Sequence, residues 1–440
     1  MVTLESWGRL IHEPHQLITL QSARAAAQIR NFQPGICFGN GRSYGDVCLN
    51  PGGTVWLTRR MDRLLAFDEE QGILRCQSGV LLQDIQRTLL PRGWMLPVTP
   101  GTQLITVGGA IANDVHGKNH HRLGSFGDHV RGFTLLRSDG STTYCSASDP
   151  ADNGHNLFRA TIGGLGLTGV IVEATLQLRR VESGWLDTET IPYQSLNEFF
   201  DLADSSEQDW EHTVSWIDCL SGSNGSDVRG IFLRANHSQA RNSKAPAVSK
   251  RQPSIPFTPP LSLVNRLSLR PFNTLYYHVQ ARKKGPGRAW YESFNYPLDS
   301  LLNWNRMYGP RGFYQYQCVL PTATSRDGIA KLLDTIRASG DGSFLAVLKT
   351  FGQREAPGLL SFPMPGATLA LDFPNMGSRT LQLFERLDAI VRDCQGRLYA
   401  AKDARMPAEL FHAGYPQLHN FLPYRDPGVS SALSRRLFGN

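Results

Sequence analysis

Three glycine-rich stretches in the first 180 residues carry the side chains best suited to holding an anion. "FGNGRSYGD", Phe38 to Asp46, sets Gly39, Asn40, Gly41, Arg42, Ser43, Tyr44 and Gly45 in succession. Successive glycines let backbone N–H groups converge on an anion without Cβ obstruction, and arginine, serine and tyrosine add side-chain donors. The string lacks the Lys-Ser/Thr ending of a nucleoside-triphosphate loop and the GxGxxG spacing of a Rossmann turn. A different phosphate cradle and a plain glycine-rich turn both stay open. The second stretch, "PGTQLITVGGAIANDVHGKNHHRLGSFGDHV" from Pro100 to Val130, mixes glycines with histidines and Lys118, which is poor core material. Within it Gly108 and Gly109, followed by Ala110, Ile111 and Ala112, predict a tight turn into a helix whose first amides face a phosphate. The third, "TIGGLGLTGVIV" from Thr161 to Val172, is a glycine loop feeding a strand. Three such loops without a Rossmann signature predict an extended dinucleotide threaded along backbone.

The elements around these loops read as α+β. "LITLQSARAAAQIR" predicts a helix, "GTVWLT" and "GILRCQSG" strands, "VLLQDIQRTLL" a helix closed by "PRG", and "LTGVIVEATLQLRRV" a strand rich in β-branched residues. Composition shifts after about residue 182, and a second α+β domain is expected over 183–390. Its strands are "GFYQYQCVLP", "SFLAVLKTFG" and "ATLALDFP". Its helices are "SRDGIAKLLDTIRAS" and "SRTLQLFERLDAIVRDC", the latter with Leu381, Phe384, Leu387, Val391 and Cys394 on one face. Period two puts Phe313, Gln315 and Gln317 on one face of their strand, and Thr368, Ala370 and Asp372 on one face of theirs. Buried amides there would need partners such as sugar hydroxyls; a solvated strand edge is the other reading. Residues 391–440 are too few for a domain and are expected to return to the first one, residues 1–182.

Composition narrows the class. With 41% apolar and 10% aromatic residues among 440, the chain can build a sizeable core. A net charge of +7 suits an anionic partner but steers it weakly over this length. Seven cysteines with no CxxC pair predict neither a metal site nor a complete disulfide framework, and fit reduced thiols in a cytoplasm. No signal peptide or spanning helix is expected. The stretch 241–284 is basic, rich in proline and serine, and interleaved with Phe257, Leu261, Leu263, Phe272 and Tyr276. It is read as a mobile loop, either a landing site for anionic lipid headgroups with peripheral contact at the inner face of a membrane, or an ordinary solvated linker. No nucleic-acid-binding signature accompanies it.

The strings "GNGRSYGD", "PGT…TVGGAIANDVHGKNHHRLGSFGDHV" and "GGLGLTG" resemble the PCMH-type FAD-binding domain of the vanillyl-alcohol-oxidase/p-cresol methylhydroxylase superfamily. Within it the likeness is greatest to the decaprenylphosphoryl-β-D-ribose 2'-oxidase-like oxidoreductases. It runs from Trp7-Gly8-Arg9 to "RLYAAKDARM…AELFHAGYP", nearly the whole chain. The resemblance implies a two-subdomain FAD-binding domain and a substrate (cap) domain built on an antiparallel sheet. It implies that Cys37 to Val47, including Gly39 to Gly45, line the FAD pyrophosphate. Gly101, Thr106, Val107, Gly108, Gly109, Asn113, Asp114, Val115 and His116 would follow the cofactor towards its ring, with Ile171 and Tyr399 also in contact. Some relatives attach FAD through a histidine in the first loop; Arg42-Ser43 stands here, so non-covalent FAD is expected.

The same resemblance implies oxidation of a sugar CH–OH, which needs a proton acceptor and a resting place for negative charge. It places Lys118, Lys349 and Lys402 in the active site; by their apolar or glycine-rich surroundings alone each is equally readable as a snorkelling surface lysine. Lys402 would accept or relay the hydroxyl proton if burial lowers its pKa. His116 is the competing base, or a hydrogen-bonding histidine beside the cofactor. Tyr44, Trp216, Gln315 and Gln317 would line the substrate cavity. Thr368 and Ala370 stand there too, where the family has asparagine and an active-site cysteine. The implied reaction converts a polyprenyl-phosphoryl-ribose to its 2'-keto sugar, with a separate NAD(P)H-dependent short-chain reductase completing epimerisation to the arabinose form. The alternatives are an aldonolactone or alditol oxidase of the same superfamily, and a non-catalytic flavin- or lipid-binding protein.

Overall fold

A computed structural model describes residues 2–22, 26–148, 153–240, 246 and 252–439. The first 60 residues form a small sheet in which Pro14–Thr19 and Gly35–Phe38 both pair in parallel with Thr54–Leu57, and Val2–Thr3 adds an antiparallel edge. The helix expected over residues 17–30 is therefore corrected at its start, where Leu17 to Thr19 belong to the strand Pro14–Thr19; Ala26 is helical, Ala27–Asn31 form a 3-10 turn, and residues 23–25 lie outside the described residues. A long-range partner, Thr54–Leu57, overrides local propensity there.

A second, antiparallel sheet runs in the order Leu64–Asp68, Ile73–Gln77, Val170–Gln177, Val130–Leu136, Thr142–Ser146. The helices Leu82–Leu89 and Val107–Ala112 pack on it through Leu82, Ile85, Val107, Ala110 and Ile111, against Leu74, Phe133 and Ala174. These are two subdomains with separate apolar cores, and between them lie the glycine loops.

Eight antiparallel strands form the largest sheet, in the order Gly285–Trp290, Trp185–Tyr193, Gly230–His237, His212–Ile217, Ala346–Phe351, Gly366–Pro374, Phe313–Pro321, Arg397–Leu398. Period two divides its side chains. Cys318, Leu320, Leu348, Leu369 and Leu371 join a core with Ile329, Leu332, Leu333 and Ile336 of the helix Thr322–Ser339, and with Phe384, Leu387 and Val391 of the helix Ser378–Asp393. Of the expected stripe on that last helix Phe384, Leu387, Val391 and Cys394 are buried, but Leu381 is exposed and Leu383 is buried in its place. The alternate side chains of the same strands face the glycine loops.

Two further differences concern connections. The stretch 241–284, read as a loop, contains the helix Arg266–Ala281, with the Asn265 side chain accepting from the amides of Leu267 and Ser268. Residues 241–245 and 247–251 lie outside the described residues. Downstream, Arg397–Leu398 pairs with Phe313–Pro321, after which the chain reaches the first sheet: Ser430 donates to the Gly35 carbonyl at 2.9 Å and Arg436 pairs with Asp46. All seven cysteines are free thiols. Among the described residues no helix is long and apolar enough to cross a membrane.

Candidate active site

The glycine loops and the open face of the eight-stranded sheet enclose a cavity of about 650 Å³. Its wall includes Gly39, Asn40, Gly41, Arg42, Ser43, Tyr44, Gly101, Thr106, Gly108, Gly109, Asn113, Val115, His116, Ile171 and Tyr399 from the expected cofactor set. Trp216, Gln315, Gln317, Thr368, Ala370, Lys118, Lys349 and Lys402 line it as well. Five expected residues do not: Phe38, Gly45, Asp46, Val107 and Asp114. Gly45 is pressed against the chain after Lys402, where an added Cβ would stand 1.7 Å from the Asp403 carbonyl oxygen. Val107 is fully buried in the core of the second subdomain. Asp114 is sealed beneath the wall, accepting from Gly127 N at 2.8 Å and Ser361 Oγ at 2.5 Å, with burial raising its pKa to about 6.

The cradle for an anion is the first loop. Among the described residues no acceptor takes the backbone N–H groups of Gly39 to Ser43, and Gly41 has φ +62°, so the loop presents a run of unspent amides beside Arg42. The helix Val107–Ala112 behaves otherwise. Its first amides are consumed by the protein: Val107 N donates to Val80 O, Gly108 N to Ser78 O and Gly109 N to Thr106 Oγ1. The expected phosphate contact at that helix start is thus corrected, because side-chain and loop capping already satisfies those donors. Arg42 Nε, Ser78 Oγ, Asn113 Oδ1 and His116 Nδ1, all from wall residues, are buried without protein partners. A polar cofactor with phosphates and a heteroaromatic ring fits that unspent inventory.

Three ammonium groups converge on the cavity, each part-buried. Lys118 Nζ donates to the carbonyls of Phe294 and Asn295, the C-terminal acceptors of the short helix Tyr291–Asn295. Lys349 Nζ donates to the Gly117 carbonyl at 3.2 Å. Lys402 Nζ lies 3.9 Å from the centroid of the Tyr44 ring. Burial, with repulsion from Lys349, lowers Lys118 to about 7, and burial lowers Lys349 to about 8. Burial also lowers Lys402, against the attraction of Asp372. Asp372, fully enclosed, accepts from Gln315 Nε2 at 2.7 Å and is pushed up by the same burial. His116 is held neutral by burial and by the charges of Lys349 and Lys402. Gln317 Nε2 stands 3.0 Å from His116 Nε2, so the ring accepts there and carries its proton on Nδ1. Trp216 is fixed by its Nε1–H to the Phe344 carbonyl and by Tyr276, with ring centroids 4.7 Å apart.

This clustering makes a stability prediction. An unfolded lysine keeps its proton to about pH 10.4, whereas folded Lys118 and Lys349 release theirs near 7 and 8. Folding therefore expels protons, and the stability these groups contribute at high pH is lost as pH falls towards 7. Water in the open cavity softens the effect, so the apoprotein should gain about 1 kcal/mol between pH 7 and 8. Asp114 titrates below this window, and the buried thiols, which ionise at about 8.5 only when unfolded, oppose the gain above it. Denaturant titrations of the apoprotein at the two pH values measure it; a flat or falling midpoint means these lysines titrate normally.

Several wall residues escaped the sequence reading. Asp299 accepts from Thr102 Oγ1 at 2.6 Å and Gln103 N at 2.9 Å, and Tyr276, Gln280 and Lys283 reach the wall from the helix Arg266–Ala281 and its end. Outside the cavity, Glu211, His212 and His237 bring their polar atoms within 4.8 Å of one another, a grouping not expected from the sequence. Arg179 and Asn119 already occupy the Glu211 carboxylate, so its charge is spent within the protein.

Comparison with known proteins agrees with this geometry. The FAD binding domain family matches residues 11–146. A decaprenylphosphoryl-beta-D-ribose oxidase of Mycolicibacterium smegmatis is 37% identical over 418 residues, 91% of this chain and 88% of that protein. A protein from the mprA 5' region of Streptomyces coelicolor is 34% identical over 378 residues, 81% of this chain and 100% of that protein. The L-gulonolactone oxidase of Mus musculus is 28% identical over 185 residues, 40% of each chain. FAD is the cofactor, and the unspent donors of the first loop are chemically suited to its phosphates. The likeness that spans both the glycine loops and the lysine-bearing sheet settles the family: this chain belongs to the decaprenylphosphoryl-β-D-ribose oxidase family of FAD-dependent oxidoreductases acting on CH–OH groups.

Proposed function

We propose that the chain oxidises the 2'-hydroxyl of a polyprenyl-phosphoryl-β-D-ribose to the 2'-keto sugar, the first half of an epimerisation that a separate NAD(P)H-dependent reductase completes. The observation that carries this reading is the convergence, in one cavity with the amide cradle, of three lysines and two glutamines from the cap sheet. The substrate in the name of the M. smegmatis relative, matched over 91% of this chain, supports it.

Bound FAD supplies the hydride acceptor. Lys402, lowered towards neutrality by burial, takes the proton of the reacting hydroxyl. Asp372 and the Tyr44 ring steady its charged form afterwards. Gln315 and Gln317 stand two residues apart on one strand face, anchored by Asp372 and by His116 with Thr368, and their remaining valences orient the sugar hydroxyls. Lys118 and Lys349, tied to main-chain carbonyls, hold positive charge where negative charge accumulates. Lys283 is exposed and lines the cavity, which puts a cation at the rim for the phosphodiester. His116, neutral and held by Gln317, positions the amide rather than taking the proton. With Arg42-Ser43 and no histidine in the first loop, FAD is held without a covalent bond.

Anaerobic mixing with polyprenyl-phosphoryl ribose should bleach the visible flavin band within seconds, and acid precipitation should release all the flavin. Bleaching by L-gulonolactone but not by the lipid-linked ribose would replace this reading with a small-sugar oxidase. A flavin that no sugar reduces would make the chain a non-catalytic flavin protein.

A further inference from the structure

A helix packed on a globular protein ordinarily turns its polar face to water. The helix Arg266–Ala281 does so only in part: Arg266, Arg270, Thr274 and His278 are exposed, but an apolar stripe is exposed beside them. Its inward face carries Leu269, Asn273 and Tyr277, all buried, and its Tyr276 and Gln280 line the cavity. Its outward face carries Leu267, Pro271, Leu275 and Val279, four apolar residues at i, i+4 spacing that form one stripe along the helix, with Phe272 beside it. All five are exposed, Leu267 by 88% and Leu275 by 65%. Just before the helix, Phe257, Leu261 and Leu263 are exposed as well. Seven of the fourteen large hydrophobic side chains exposed among the described residues thus fall between 257 and 279, a concentration that scattered surface leucines do not produce.

Charge accompanies this patch. From 252 to 291 the sequence contains Arg266, Arg270, Arg282, Lys283, Lys284 and Arg288 and not one Asp or Glu. Arg266 is drawn to Asp341 and Arg288 to Asp187, but among the described residues no carboxylate lies within ion-pair distance of Arg270, Arg282, Lys283 or Lys284, which sit exposed around the stripe. An apolar stripe bordered by cations and free of carboxylates matches an anionic bilayer, whose headgroups attract the cations and whose acyl boundary accepts the leucines.

We propose that the face of the helix Arg266–Ala281 is a docking surface for anionic lipid bilayers, and that it seats the protein with the Tyr276–Lys283 side of the cavity against the membrane. The docking stands apart from the sugar assigned above; its purpose, delivery of a lipid-carried sugar to the rim, rests on that reading. Because lipid binding is measured without turnover, the two can fail separately.

The test is co-sedimentation of the flavin-loaded full chain with phosphatidylcholine vesicles containing or lacking phosphatidylglycerol. Binding is expected to the anionic vesicles only, to weaken as salt rises, and to fall at least tenfold in Leu267→Glu/Leu275→Glu. The variant Arg270→Gln/Lys284→Gln should lose several-fold and keep the less salt-sensitive remainder. Flavin content and reduction by a short-chain, water-soluble substrate should match the unaltered protein in both variants, since none of the four residues lines the cavity. Absence of binding to anionic vesicles overturns the proposal, as does binding that the Leu267→Glu/Leu275→Glu variant retains. Concentration-dependent dimerisation that this variant abolishes, without vesicle binding, would also overturn it in favour of self-association.

Discussion

Replacement of Lys402 by alanine should leave FAD bound and slow its anaerobic reduction by sugar substrate by about 10²–10⁴-fold, the usual range for loss of a positioned base. In the unaltered enzyme the limiting reduction rate should rise with pH until the Lys402 proton is gone, because only the neutral amine accepts a proton. Burial sets that transition below the ordinary lysine range, and Asp372 opposes the shift. In Lys402→Ala the rise should vanish. Lys402→Arg separates proton transfer from charge: a guanidinium keeps the cation over Tyr44 but cannot give up its proton. If Lys402→Arg reduces at the original rate with a flat pH profile, the residue serves only as a charge. If Lys402→Ala is undiminished, the proton goes elsewhere and His116 becomes the group to remove.

Arg436→Met should cost the most stability of any single change considered. Arg436 Nη2 lies 2.9 Å from Asp46 Oδ1 and 3.1 Å from Asp403 Oδ2, and both carboxylates are almost fully buried. Burial raises the Asp46 pKa and Arg436 restrains it. Without the guanidinium, two buried carboxylates face each other unpaired, a loss of about 3–5 kcal/mol. The damage falls on the site because Asp46 follows the glycine loop and Asp403 follows Lys402. Urea unfolding and FAD titration should show the lower midpoint together with at least tenfold weaker cofactor binding. A companion Asp46→Asn change should restore part of the stability by removing one charge. A variant within about 1 kcal/mol of the parent, with unaltered FAD affinity, would show that the triad is dispensable.

The parts of this site legible in the sequence are those in which chemistry and local pattern coincide. "GNGRSYG" left an anion cradle and a plain turn both open, because consecutive glycines serve either, and among the described residues the amides of Gly39 to Ser43 are unspent, which suits a cradle. The alternation in "FYQYQCVL" was enough to put Gln315 and Gln317 on one face, and both line the cavity. The expectation failed at Val107–Ala112, since which acceptor satisfies a helix-start amide depends on Ser78 and Val80, loop residues almost thirty positions upstream. Asp372 was seen on its strand but its role was not, because the Gln315 contact follows from the register between Phe313–Pro321 and Gly366–Pro374. Leu17 to Thr19, the end of the strand Pro14–Thr19, were read as helix for a similar reason: they become strand only against Thr54–Leu57. In the basic stretch, proline and serine masked the helix Arg266–Ala281, whose outward leucines follow helical spacing but stand beside the exposed Arg270, Thr274 and His278 rather than opposite them.

The contact between Asp46 and Arg436 joins positions 390 apart, and that separation bears on biosynthesis. Translation at about 5–20 residues per second leaves the nascent glycine loop waiting on the order of 20–80 s for the guanidinium that fixes it. Until position 436 has cleared the ribosome, the emerging polypeptide carries every lysine and glycine of the site yet lacks its clasp. Flavin should consequently be captured only once position 436 is free to fold back, and a chain halted between positions 405 and 430 should remain colourless.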